Sequence, residues 1–302
     1  MNAELVQFLR NLFEESTLNR LPSQYGGTRI FSSPLIGVSR GDDLIFQKYK
    51  ELIAPEHLTP LELWLSEGFE SISPSNLRII SIVFPFSKKI REESKNMIKN
   101  SQIALPAEIY CVGRNYANDF KKEICRKIIE FFKIKGHNSV AAMLSESFSI
   151  LRPKRDLVYS TWSERHIAFA TGLGTFSLHE GLITEIGCNI RLASVVTNAP
   201  LDITPRKDEN PYTNCLYYSK GTCRRCAARC PANAIDENGH NKLKCHIYNR
   251  KIAEIMFNRI GPILKPLKRR INWILRPESY PVGCAFCQFD VPCMDKNPMA
   301  KN

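Results

Sequence analysis

This 302-residue chain has no apolar run long enough to cross a membrane. Its best stretch, Ile79 to Phe86, is interrupted by Ser81 and Pro85 and falls short of the roughly 18 residues a spanning helix needs. The opening residues, MNAELVQFLRNLFEES, carry acids early and lack the basic-then-apolar order of a secretory signal; a twin-arginine export sequence is also missing. A cytoplasmic location is therefore expected, with no membrane partner. The composition, 43% hydrophobic and 10% aromatic, leaves no reason to expect disorder over most of the chain. A chain this long builds two compact domains, or one with a large appendage. A disulfide framework is not expected either, because cytoplasmic thiol pools keep such pairs reduced.

Cysteines are nonetheless abundant, with 11 in all. Only Cys111, Cys125 and Cys188 lie outside the segment Cys215 to Cys293, and that segregation points to metal ligation. The first group is Cys215, Cys223, Cys226 and Cys230-Pro231. Its second half, C-x2-C-x3-C-P, is the bacterial ferredoxin signature, in which the fourth cysteine crosses to the other cluster. The second group is Cys245, Cys284, Cys287 and Cys293. By that crossover, Cys215, Cys223, Cys226 and Cys293 hold one 4Fe–4S cluster, and Cys230, Cys245, Cys284 and Cys287 hold the other. The departure is Cys215, separated from Cys223 by seven residues where the signature has two. Cys215 is read as the first ligand on a looped-out turn, the alternative being a three-cysteine cluster with an open iron. Paired C-x2-C units also bind zinc, but the Cys-Pro after a three-residue gap and the total of eight favour iron and sulfide.

The formal charge is +12. Eight thiolates and two oxidised cluster cores would bring it to about +8, still basic. Much of that charge lies in the 38-residue spacer between Cys245 and Cys284: residues 250–276 hold eight Lys or Arg against Glu254. Ile252, Ile255, Met256 and Ile260 recur at helical spacing, so the segment is expected to be an amphipathic helix with a basic outer face. Such a face suits solvent, nucleic acid, an anionic cofactor edge or an acidic redox partner.

The first 200 residues exceed what an electron-transfer module needs. Residues 77–84 and 106–112 read as buried strands, 116–134 as a helix carrying Phe120, Ile124, Ile128, Phe131 and Phe132, and 138–150 as strand-like. Ser163 to Thr171 reads as a helix ending at Gly172-Leu173-Gly174, and 189–198 as a strand. The interleaving predicts an α+β or α/β layer fold.

Three stretches in this order carry a resemblance to the epoxyqueuosine reductases and, more distantly, the reductive dehalogenases. Tyr110 to Tyr116 (YCVGRNY) is similar to the family's Tyr-Ala-x-Gly-x-Asp-Tyr-His, with Asn115 for Asp and Ala117 for His. Glu164 to Gly187 resembles its Glu-rich helix, Gly-Leu-Gly turn and loop, with Ser177-Leu178-His179 in place of Gly-Lys-Asn. Residues 200–205 (PLDITP) resemble its connector into the cysteine module. The likeness covers roughly residues 75–300 and implies an α+β chain. Its parts would be a mostly helical extension (1–70), a nitroreductase-like α/β cofactor and substrate domain (71–205), and a ferredoxin-like double-cluster domain (206–302).

The resemblance further implies a corrinoid oxidoreductase. A cobalamin would lie between the domains, supplied with single electrons through the two clusters from a low-potential donor such as ferredoxin or flavodoxin. Gly172, Leu173, Gly174 and His179 would face the cofactor. The family's Asp-Thr-Gly-Pro segment is missing; Val158 or Tyr159 falls in its place, with Asp156 two residues away. Tyr159 is thus the first proton-donor candidate, followed by Tyr116, Glu164 and Arg165, and the absent Asp argues against epoxyqueuosine itself as the substrate. Two alternatives stay open: FMN in the nitroreductase-like domain, and a non-catalytic electron carrier that docks through residues 250–276.

Overall fold

A computed structural model describes residues 2–98, 103–154 and 157–300; Asp156 lies outside them. In chain order, α1 (Asn2–Glu15) precedes β1 (Leu35–Arg40), α2 (Ile45–Leu52), α3 (Pro60–Ser66) and β2 (Arg78–Pro85). Next come α4 (Lys88–Glu93), the long α5 (Glu108–Ile134), and the two-residue strands β3 (Ser139–Val140), β4 (Ile150–Leu151) and β5 (Tyr159–Ser160). α6 (Glu164–Ala170), the hairpin β6 (Gly174–Phe176) and β7 (Leu182–Thr184), and β8 (Ile190–Thr197) follow. The cysteine-rich part holds α7 (Leu216–Lys220), α8 (Arg225–Ala228), β9 (Ile235–Asp236), β10 (Gly239–His240), α9 (Lys242–Ile260), β11 (Arg270–Ile271) and β12 (Ile274–Leu275).

The central sheet runs β1-β2-β8-β3, antiparallel throughout. β2 is a near-continuous β-branched run because both of its faces are covered. Ile80, Ile82 and Phe84 pack with α1 and α5; Ile79 joins the opposite layer with Ile167 and Ala170 of α6, and Val83 packs with Ala168 and Phe169. Phe120 of α5 meets the rings of Phe13, Phe31 and Phe84 at centroid distances of 5.0, 6.2 and 5.9 Å. The first 70 residues contribute β1 to this sheet as well as helices.

β3 pairs only with Val196 and Thr197, so among the described residues no strand lies on that side of β8 from Ile190 to Val195. A second small sheet, β12-β11-β4-β5, joins the middle of the chain to its cysteine-rich part: β11 pairs with β4 through Ile271 and Ile150. The spacer between Cys245 and Cys284 thus returns across the first two-thirds of the chain as a strap.

Three expectations need correction. Residues 106–112 are not a strand; α5 begins at Glu108, and its first turns are apolar because Ile109, Tyr110, Cys111 and Val112 are buried among other elements. A short apolar run does not distinguish a strand from a helix enclosed on all sides. Residues 138–150 form two short strands flanking a 3-10 turn. The helix expected over 250–276 is α9, which begins at Lys242 and ends at Ile260. Asn241 caps its start by accepting from the Lys244 amide, and Gly261-Pro262 stops it. Phe120→Ala should lower unfolding free energy by about 3–5 kcal/mol. Denaturant unfolding measures this, and a loss under 1 kcal/mol would mean the aromatic cluster is not the centre of the core.

Candidate functional site

The eight C-terminal cysteines lie in two adjoining groups. Cys215, Cys223, Cys226 and Cys293 line one cavity, together with His179. Burial pushes the Cys226 thiol up to about 12, and Cys293, Cys215 and Cys223 add to the shift. Burial does the same to Cys284, again to about 12, with Cys245 and Cys230 as its nearest charged neighbours. Cys287 is raised by burial and then by Cys284, Cys245, Cys226 and Cys230, which places it in the second group and beside the first. Two N–H donors point at sulfur: the Ala234 amide at Cys230 Sγ and Asn249 Nδ2 at Cys245 Sγ, each 3.3 Å away. Cys215 stands in the first cavity despite its sequence spacing, because α7 fills the loop between it and Cys223.

Next to the second group, the open edge of β8 is met by side chains from α5 and α6. Lys121 Nζ donates to the Leu192 carbonyl at 3.1 Å. Arg191 donates to the Tyr110 hydroxyl at 2.6 Å and stacks over the Phe86 ring at 5.0 Å. Arg114 donates to the Val282 carbonyl just before Cys284, and Cys245 is among its charged neighbours. Arg269 reaches in from the strap; burial, then Arg114 and Arg152, lower it to about 10. Burial likewise lowers Arg114 and Lys121. All four cations keep part of their surface exposed, so they form a basic cluster that water reaches. Cations crowded in low dielectric are stabilised by an anion.

One carboxyl faces them. Burial raises the pKa of Glu164, and Ser194 and Lys121 offset only part of that shift. Its Oε2 is buried with no hydrogen-bond partner among the described residues. A carboxyl whose pKa burial raises, beside Lys121, is a candidate proton donor.

The other nominated residues have different surroundings. Tyr159 sits on the exposed small sheet with its hydroxyl 3.3 Å from Glu56, and burial and Glu56 make it a weaker acid than an ordinary tyrosine. Tyr116 donates to the Ile263 carbonyl at 3.0 Å, and neighbouring Asn115 binds the Lys265 backbone in both directions. Both anchor the strap. Arg165 donates to the Glu180 carbonyl, and the Glu180 carboxylate is shared with His240 and Lys242 across to the cysteine-rich part. Gly172 adopts φ +75 after α6, as a helix C-terminus favours. A Cβ there would lie 2.7 Å from the Pro205 carbonyl, and Gly174 is closed off by Ile183. Leu173 packs over Gly37. Gly172 and Gly174 are thus required for close packing within the chain, while residues 172–174 each keep part of their surface exposed. His179 stands at the first cysteine group.

The basic spacer is also less free than its composition implies. Arg259 pairs with Glu108, Lys265 with Asp119, Lys268 with Glu278 and Arg270 with Glu146, while Arg269 joins the basic cluster. What remains is a weak docking face. Sequence reasoning missed Arg114, Lys121 and Arg191. Arg114 and Lys121 lie seven residues apart on one side of α5, and that spacing was the available signal.

No protein-family model matches the chain, and no curated protein matches it in sequence. Among solved structures, a selenomethionine-labelled epoxyqueuosine reductase aligns over 98% of this chain and 69% of its own, at 16% identity and a TM-score of 0.50. The Streptococcus thermophilus epoxyqueuosine reductase aligns over 100% and 69%, at 12% identity and a TM-score of 0.52. A B12-dependent reductive dehalogenase aligns more weakly, over 71% and 27%, at 17% identity and a TM-score of 0.39. The chain has the mixed α+β fold of the epoxyqueuosine reductases, the family its motifs resemble.

The raised pKa of Glu164 has a stability consequence. Its protonated form favours the fold below the ordinary value near 4.5, and that contribution is lost as pH rises through the raised value. Glu164→Gln removes the dependence. Melting temperatures of the two proteins from pH 4 to 8 should diverge in favour of the variant as pH rises, and parallel curves would place Glu164 in an ordinary environment.

Proposed function

We propose that the chain is an iron–sulfur reductase in which each cysteine group holds a 4Fe–4S cluster and electrons leave from the second group towards the basic cluster. The observation that carries this reading is the Arg114 guanidinium donating to the Val282 carbonyl two residues before Cys284, which joins an expected electron carrier to a group of cations suited to an anion. The donor set fits the clusters. Four thiols line the first cavity, four more influence one another in the second group, N–H donors face Cys230 and Cys245, and burial disfavours free thiolates until a metal displaces their protons.

An organic cofactor of the cobalamin class would place its phosphodiester against Arg114, Lys121, Arg191 or Arg269, the cations gathered beside the second cysteine group. Bound there, it would supply a low-potential, nucleophilic reductant. The chain's own groups supply the rest. The cations draw in and orient an anionic group and stabilise charge that accumulates on it during reduction. Glu164, its pKa raised by burial, donates a proton to the reduced product. The strap, fixed by Asn115, Tyr116 and the β11–β4 pair, limits water entry. The substrate class this favours is a small or nucleic-acid-borne molecule carrying negative charge near the reducible centre.

The test is anaerobic reconstitution followed by titration with cobalamin and with FMN, read by visible spectra. Cobalamin should bind, and Arg269→Ala should weaken binding about tenfold or more, as expected for one charge-assisted contact. FMN binding alone would replace the corrinoid with a flavin. Binding of neither, with intact cluster spectra, would reduce the protein to an electron carrier.

A further inference from the structure

Cys188 and His179 belong to neither cysteine group, yet both converge on Cys293. Cys188 Sγ lies 3.7 Å from Cys293 Sγ, and the donor atoms of all three residues lie within 4.8 Å of one another. Cys188 and His179 are buried, at 2% and 5% exposure. The arrangement is enforced by backbone. The Cys188 amide donates to the Cys293 carbonyl at 2.8 Å and the Asn189 amide to the Met294 carbonyl at 3.1 Å. Gly187, at φ +89, lies so close to Met294 and Asp295 that a Cβ would collide with their backbone. His179 is set by the tight β6–β7 turn, in which the Ser177 amide donates to the Gly181 carbonyl at 2.9 Å. The ring covers Gly181, where a side chain would strike it.

The ring's proton can be assigned. The Gly181 amide donates to His179 Nδ1 at 3.2 Å, so Nδ1 carries a lone pair. In a neutral imidazole the hydrogen then sits on Nε2. Nε2 is buried with no hydrogen-bond partner among the described residues, and the Cys293 sulfur lies within 4.8 Å of the ring's ligand atom. A metal at Nε2 would need the opposite tautomer and would forfeit the Gly181 bond. The three residues are therefore better suited to hydrogen bonding than to holding a separate ion.

From this geometry we infer that His179 N–H and Cys188 S–H form a donor pair onto the Cys293 sulfur, setting the reduction potential of the cluster in the Cys215, Cys223, Cys226 and Cys293 group. The inference rests on the cluster reading above. Reduction adds negative charge that spreads onto the ligand sulfurs, and donors aimed at one of them stabilise the reduced state more than the oxidised one. Both donors come from the β6–β8 region, so the potential of this cluster depends on how the cysteine-rich part sits against the sheet. Cys188 and His179 are positioning residues, acting through Cys293.

The experiment is an EPR-monitored redox titration of the anaerobically reconstituted full-length protein. Cys188→Ala and His179→Phe should each retain the wild-type iron content and move the potential of one cluster to more negative values, leaving the other in place. Cys188→Ser, which keeps an O–H donor, should restore most of the shift. Unchanged potentials in the first two variants would overturn the inference, as would a serine variant no different from alanine. Loss of about four irons in either Cys188 variant would make Cys188 a ligand and overturn it too. Wild-type protein that takes up no iron or sulfide would instead defeat the cluster reading, a separate outcome.

Discussion

A sheet edge without a neighbouring strand leaves backbone carbonyls and amides that must be satisfied in another way. Here β3 stops after two residues, and the exposed edge of β8 is met by Lys121 from α5 and approached by Glu164 from α6. The basic cluster gathers along that edge, joined by Arg269 from the strap and by Arg114, which holds the strap at Val282.

The same economy of placement governs the two ends of the cysteine-rich part. Asn115, Tyr116 and Asp119 on one stretch of α5 hold the strap at Lys265 and Ile263, while Arg114 holds it at Val282. A helix that forms the core of the first two-thirds thus also fixes the position of Cys284 and Cys287. At the opposite side, the turn before β8 fixes Cys293. Each cysteine group is tied to the sheet by its own contact, so the spacing between expected electron carrier and basic cluster is set by elements that also bear the hydrophobic core.

Much of this was legible in the sequence and some was not. β2 and β8 could be read because buried β-branched runs bounded by polar residues have few other uses, and α6 because it runs into Gly172. The grouping of the eight thiols followed from spacing, including the crossover of Cys293, and the structure brings Cys215 to the same cavity. The start of α5 was misread because an apolar run of seven residues has no period to distinguish. The basic cluster and the carboxyl beside it were illegible as a group for a different reason: Arg114, Lys121, Glu164, Arg191 and Arg269 are spread over more than half the chain, and basic residues look like surface until a fold gathers them. Tyr159 illustrates the converse, since alignment to a family position does not carry the surroundings of that position with it.

The central claim is that each cysteine group is a separate 4Fe–4S site. Iron and acid-labile sulfide analysis after anaerobic reconstitution tests it most directly, on the wild type beside Cys226→Ala and Cys287→Ala. The account predicts about eight of each per chain in the wild type and about four in each variant. A wild type that holds zinc, or only about four irons, would contradict it.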